Sequence, residues 1–340
     1  MKRATRILAA LLCVLLLLPT VVFAEAQPSL EKQIAQSAEG MSALGGKKGE
    51  LLKDRELFPA GDSVCDWLAI AMALSGTRES YSDYLAELKA HVEDAYAKNG
   101  CLDRNKATEY HRISLTVLAL GGNPTNFGTK PDGSAIDLIA EGTYNYARDP
   151  GAQGLNGWIW ALLTLDAGDT EVPADALYSR EDMVNAISVA QEPDGGFGLI
   201  PGKSDVDITA MAVQALAPYR DQMETEIDAA LSYLSGQLTD TCGYIAYGDE
   251  NAESTAQVIL ALCALGIDPE TDSRFVKGEH TLLTELSQFR EADGVIVAAP
   301  FWDLPPCAGG GRRRLGNGPI RPGLSGCAAC AVRAAVGAAF

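Results

Sequence analysis

The sequence predicts an all-α fold of stacked helical hairpins, laid out as a two-layered ring with buried helices inside. Three observations predict it. First, apolar runs recur: WLAIAMALSG (67–76), RISLTVLALGG (112–122), GWIWALLTLDAG (157–168), TAMAVQALAP (209–218) and TAQVILALCALG (255–266). Their last leucines, Leu74, Leu120, Leu165, Leu216 and Leu265, stand 46, 45, 51 and 49 residues apart, a spacing that fits one helical hairpin per repeat. Second, each run is apolar nearly all round, the mark of a buried helix. Third, more polar segments lie between the runs, at 79–99, 133–147, 179–191, 222–237 and 277–290, and read as outer helices. No β-type alternation separates them.

The elements follow in chain order. Residues 1–26 place Lys2, Arg3 and Arg6 before an apolar run from Ile7 to Phe23 and close on Ala24-Glu25-Ala26, the layout of a cleaved secretory signal. No later apolar stretch is long enough to cross a bilayer, so the expected product is secreted or held at the cell surface, with no transmembrane segment after cleavage. The body, 27–300, suits one large domain. The net charge is −18 and the acidic excess lies in the body, which argues against nucleic acid or anionic lipid as partner. The four body cysteines, Cys65, Cys101, Cys242 and Cys263, form no C-x-x-C pair, so a zinc ribbon or redox pair is not expected. A Cys65–Cys101 disulfide and simple buried thiols both stay open. Gln191, Gln237 and Gln288 close three outer helices in phase. The first opens a Gln-x3-Gly-x-aromatic turn, QEPDGGFG, whose Phe197 can wedge between repeats. Residues 301–340 are an atypical tail, because from Leu304 onward Asp and Glu vanish and Ala, Gly, Pro, Arg and Cys dominate.

The Gln-x3-Gly-x-aromatic turns, the period and DVDITAMAVQAL resemble the α/α-toroid superfamily of terpene cyclases and protein prenyltransferases. CDWLAIAMALSG, TEYHRISLTVLALGGNPTN and AQVILALCALGIDPETDSRFVK are similar to exported Gram-positive bacterial proteins with prenyltransferase/squalene-oxidase repeats. The resemblance covers roughly residues 60–292 and implies an (α/α)6 toroid of six inner and six outer helices. With a helix at about 30–45 the chain supplies six outer helices but five inner ones. The last inner helix is missing where relatives carry a Thr-Glu/Asp-Gln-Ala phrase. Codons for Gly318–Pro322 read one base earlier can spell Thr-Asp-Gln-Ala, so residues after about 294 are expected to be an out-of-frame translation.

Class II terpene cyclases protonate an alkene with the middle acid of Asp-x-Asp-Asp followed by Thr-Ala. The resemblance puts Asp207 on that position and Asp205 beside it, but Ile208 replaces the last Asp. Alkene protonation needs an unusually strong, water-shielded acid, which an apolar neighbour does not help to make. Aromatic residues that would stabilise carbocations are few, at 7% of the chain. The alternative is capping: Ser204 or Asp205 suits an N-cap, and Ser204-x-x-Asp207 resembles a capping box. Protein prenyltransferases hold zinc with Asp, Cys and His, and neither His91, His111 nor His280 stands in a ligand spacing with a cysteine, so no metal and no cofactor is expected.

Binding is the favoured reading. In a toroid the starts of the inner helices converge on one mouth, which gathers Asp66 and Trp67; Glu109, Tyr110, His111 and Arg112; Asn156, Trp158 and Trp160; Asp205, Asp207 and Thr209; and Glu253, Ser254 and Gln257. Such a rim suits a small molecule, a glycan or a peptide, including a cationic one. A degenerate cyclase-like enzyme and a structural module of a cell-surface protein are the alternatives.

Overall fold

The computed structural model describes residues 30–43, 49–246 and 248–289. The expected signal (1–26), the missing sixth inner helix and the tail (301–340) lie outside them. The chain separates into two units, Met1–Gln33 and Ile34–Phe340. The first contributes only the opening residues of α1 (Leu30–Ala43) to the described part, and all other elements belong to the second.

The second unit is all-α apart from short hairpins. Five helices carry the apolar runs: α2 (Ser63–Leu74), α4 (Ala107–Ala119), α6 (Asn156–Ala167), α8 (Val206–Leu216) and α10 (Ala252–Ala264). They pack in sequence, α2 on α4, α4 on α6, α6 on α8 and α8 on α10. Between them run α3 (Tyr81–Asn99), α5 (Leu138–Gly142), α7 (Arg180–Ser188), α9 (Arg220–Gly236) and, after α10, α11 (Leu282–Gln288). From α4 onward, each buried helix also packs against the more polar helix that follows it.

Burial follows the two patterns. In α10 every residue from Ser254 to Leu262 is buried, so hydrophobic burial acts on all sides of the helix. In α3 only Tyr84, Leu88, Val92 and Tyr96 are buried, one stripe at four-residue spacing. The buried side chains form two apolar clusters, one around α2–α4 and one around α6–α11, with Trp160 packed against both. The helices stop where their orphaned carbonyls find turn partners. Gly121, at φ +80, donates to the Leu118 carbonyl at 3.0 Å after α4, a left-handed step that a side chain would strain.

Three expectations are corrected. The outer helix expected over 133–147 is only Leu138–Gly142; residues 128–136 fold back on themselves through a Thr129–Ala135 bridge, and Asp137 caps the short helix by accepting from Ala140 N–H. The helix expected over 277–290 begins at Leu282, because Gly278, at φ +64, turns a hairpin just before it. The expected lack of β structure gives way to three antiparallel hairpins: β1 (Phe197–Ile200) with β2 (Lys203–Asp205), β3 (Ile245–Ala246) with β4 (Asp249–Glu250), and β5 (Val276–Lys277) with β6 (His280–Thr281). The first two lead directly into α8 and α10. All four body cysteines are free thiols, so the Cys65–Cys101 pairing is not formed. No helix among the described residues is long and apolar enough to cross a membrane.

Candidate functional site

The first turn of α8 carries the acid pair. Asp205 ends β2 in extended backbone and is the N-cap of α8, its Oδ1 accepting from Ile208 N–H at 3.0 Å. Ser204 is directed elsewhere, donating to Asp194 Oδ1 at 2.6 Å, so the capping box expected between Ser204 and Asp207 is not made. Thr209 stitches helix to hairpin: its hydroxyl accepts from Phe197 N–H at 2.8 Å and donates to the Asp205 carbonyl at 2.6 Å. Asp205 is exposed and Asp207 half-buried. The pair is thus split by role, one carboxylate holding the helix start and the other turned further inward. The turn before them forms around Gln191, whose amide donates to the Gly195 carbonyl at 2.9 Å and the Glu226 carbonyl at 2.7 Å, and Phe197 is wholly buried.

The neighbouring helix starts contribute differently. In α10, Asn251 caps by accepting from Ser254 N–H at 3.0 Å, and Gln257 is buried with its Oε1 accepting from Gln214 Nε2 at 3.0 Å. Glu253 is half-buried; its Oε2 is closed off from solvent without a hydrogen-bond partner among the described residues. Asn156, the first residue of α6, is half-buried with Oδ1 in the same condition. Trp158 sets its ring edge-on to Tyr178 at 5.2 Å, while Trp160 meets Trp67 of α2 at 5.2 Å. The two tryptophans of α6 therefore serve different neighbours.

Three residues expected at the mouth, Asp66, Tyr110 and His111, meet the more polar helix that follows instead, and Arg112 turns back to α2 and the segment before it. Asp66 is fully buried; its Oδ1 accepts from Gly61 N–H at 2.9 Å and from the Tyr84 hydroxyl of α3 at 2.8 Å, and its Oδ2 from Arg112 Nε at 3.0 Å. Arg112 also donates to the Gly61 carbonyl and to Glu109. Burial pushes the Asp66 carboxyl up from its ordinary value, against the pull of Arg112, Gly61 N–H and Tyr84. His111 is buried against α5, its Nε2 at 2.6 Å from the Gly142 carbonyl, and burial drives its pKa down to about 4. Tyr110 packs edge-on to Tyr146 and its hydroxyl accepts from Leu102 N–H at 3.0 Å. Asp66, Tyr110 and His111 tie the two helical layers together.

One polar cluster had no marker in the repeat pattern. At the opposite end of α6, Asp166 pairs with Arg180 of α7, which also donates to the Tyr219 hydroxyl at 2.8 Å and the Thr170 carbonyl at 2.8 Å. Burial pushes the Asp166 carboxyl up and Arg180 pulls it down. The cluster lines an open depression with Asp169 and Glu171. Its only trace in the sequence is an acid inside the otherwise apolar LLTLDAG. Among the described residues no group of three or more His, Cys, Asp or Glu could hold a metal.

Over about a third of its length the chain bears a distant similarity to a terpene cyclase-like enzyme. The similarity is to drimenyl diphosphate synthase of Streptantibioticus cattleyicolor, 33% identical over 119 residues, which make up 34% of this chain and 21% of that protein. The chain thus matches about a fifth of the length of that curated relative. No family model matches the chain.

Proposed function

We propose that the chain is an exported, non-catalytic binding protein whose hairpins close into an (α/α)6 toroid, and that it holds a small molecule, glycan or peptide at the mouth formed by the starts of α6, α8 and α10. One observation carries this reading. Asn156 Oδ1 and Glu253 Oε2, each in the first turn of its helix, are shielded from solvent with no partner among the described residues. Buried acceptors are nearly always satisfied, so two left open at helix starts of one array suit a ligand that donates hydrogen bonds. The packing of the five inner helices in sequence supports the ring. The test is native mass spectrometry of the purified protein, followed by the same measurement on Asn156→Ala/Glu253→Gln. A bound small molecule that is lost from the double variant is the expected result. A wild-type chain that never carries or takes up a ligand overturns the reading.

A second reading is a degenerate cyclase with Asp207 as proton donor. The similarity to a protein named drimenyl diphosphate synthase favours it. Against it, Ile208 stands where that chemistry places a further carboxylate, and Asp205 is committed to its cap. Prenyl diphosphate turnover that disappears in a folded Asp207→Asn variant would establish this reading in place of the first.

A further inference from the structure

The two hairpins that lead into α8 and α10 carry apolar side chains that the fold leaves in water. Leu199 and Ile200 of β1 are 41% and 67% exposed, and Ile245 of β3 is 59% exposed. Single exposed aliphatic residues are ordinary on a protein surface; several brought to one place mark an interaction site. The end of α9 brings these together. Gly196, the residue before β1, lies against Tyr233, where an added Cβ would sit 3.1 Å from the ring Cδ2. Tyr244, the residue before β3, donates its hydroxyl to the Leu234 carbonyl at 3.1 Å. Both hairpins therefore start beside consecutive residues of α9, and both run into helices that pack against each other.

The exposed side chains stand on anchored backbone. In the first hairpin Ile200 pairs with Lys203, and Gly202 N–H donates to the Glu192 carboxylate. At the other end of β1, Phe197 is wholly buried, its N–H bonded to Thr209 of α8 at 2.8 Å. In the second hairpin Ile245 pairs with Glu250, and the next residue, Asn251, caps α10. Little chain has to be ordered when such side chains are covered by a partner, so their burial goes into affinity. The charge around them has one sign. Asp194, Asp205 and Asp249 are exposed on these segments and Glu192 and Glu250 half-buried, with Lys203 the one base between 192 and 205 or 244 and 250. An aliphatic surface bordered by carboxylates complements a partner with aliphatic and basic side chains and repels anionic lipid.

We propose that the β1–β2 and β3–β4 hairpins form a docking rim for a cationic peptide segment. Leu199, Ile200 and Ile245 take its aliphatic side chains, and Asp194, Asp205 and Asp249 take its lysines or arginines. This rests on the binding reading above, because the hairpins lead into the starts of α8 and α10, and it narrows the ligand class to a peptide. The apolar contacts set how long the peptide stays, while the exposed carboxylates speed its arrival and make binding weaken with salt.

The experiment is fluorescence polarisation of a labelled peptide of repeating lysine, leucine and glycine against the full chain. Versions with glutamate for lysine and with serine for leucine are the controls. Saturable binding of the lysine–leucine peptide alone is expected. Ile200→Ser/Ile245→Ser should weaken it by about ten-fold or more, and Leu177→Ser, an exposed change just before α7, should leave it unchanged. No saturable binding of the lysine–leucine peptide overturns the proposal, as does equal binding of the serine version or indifference to Ile200→Ser/Ile245→Ser. Sedimentation velocity and flotation with phosphatidylcholine vesicles test the other occupants: self-association or vesicle binding that Ile200→Ser/Ile245→Ser removes overturns the peptide in favour of a second copy or a lipid surface. Native mass spectrometry separates rim from mouth. A small molecule retained by Ile200→Ser/Ile245→Ser, in a protein that binds no peptide, overturns the rim and leaves the mouth; peptide binding unchanged in Asn156→Ala/Glu253→Gln, with no small molecule ever bound, supports the rim without the mouth acceptors.

Discussion

Replacing Arg112 with Met tests how two neighbouring buried helices, α2 and α4, are joined. In the native chain Asp66 is wholly buried and accepts from Arg112 Nε at 3.0 Å, from Tyr84 and from Gly61 N–H. Methionine fills most of the space without the charge, so what is lost is electrostatic. A unit-charge pair about 4 Å apart at an effective dielectric of 20 interacts by about 4 kcal/mol. Stranding one partner of a buried pair costs about 3–5 kcal/mol. Asp66 can relieve that cost only by taking a proton. Its affinity for one is already raised by burial, so the variant's penalty should be slight near pH 4 and grow to its full size by pH 7. Urea denaturation of wild type, Arg112→Met, Asp66→Asn and the double variant at both pH values measures the penalty and the coupling. The expected outcome is a loss of about 3–5 kcal/mol at pH 7, with Asp66→Asn restoring part of it in the double variant. A penalty below about 1 kcal/mol, or one that does not change between pH 4 and 7, refutes the assignment of this pair as the tie between α2 and α4.

Two further predictions follow from single side chains. His111 is held neutral by burial, with its pKa near 4, so the fold should lose up to about 3 kcal/mol as pH falls from 6.5 to 4; an imidazole NMR titration that moves near pH 6.5 would contradict it. Asp205→Ala removes the cap of α8 and should cost about 1 kcal/mol in thermal or urea unfolding, and Asp205→Asn, which keeps the accepting oxygen, should recover most of it.

The repeat was legible because it rests on hydrophobicity. Runs of leucine and alanine at regular intervals must be buried, and the packing of α2, α4, α6, α8 and α10 in sequence agrees with that. The ends of the outer helices were less legible. In 277–290 the composition suits a helix throughout, yet the Gly278 turn and the Thr281–Thr284 capping box move its start to Leu282. The hairpins were hidden because strands of two to four residues are too short to display alternation.

The site was legible in height but not in angle. Repeat alignment places Asp66, His111, Arg112, Asn156 and Asp207 at nearly the same level, close to the starts of their helices. It does not say which way each points, since successive residues of a helix turn by about 100°. On an amphipathic helix the apolar stripe supplies the missing angle, as Tyr84, Leu88, Val92 and Tyr96 do in α3. A helix buried on all sides has no such stripe, so a polar residue in it can face either an opening or the adjoining layer. Partner geometry resolves the ambiguity: Tyr84 draws Asp66 outward to α3, and the Gly142 carbonyl draws His111 outward to α5. Unspent hydrogen-bonding capacity therefore marks a binding candidate only together with a place in the first turn of a helix, since buried His111 Nδ1 also has no partner among the described residues. Arg112 and both oxygens of Asp66 have spent theirs inside the protein, whereas Asn156 Oδ1 and Glu253 Oε2 have not among the described residues.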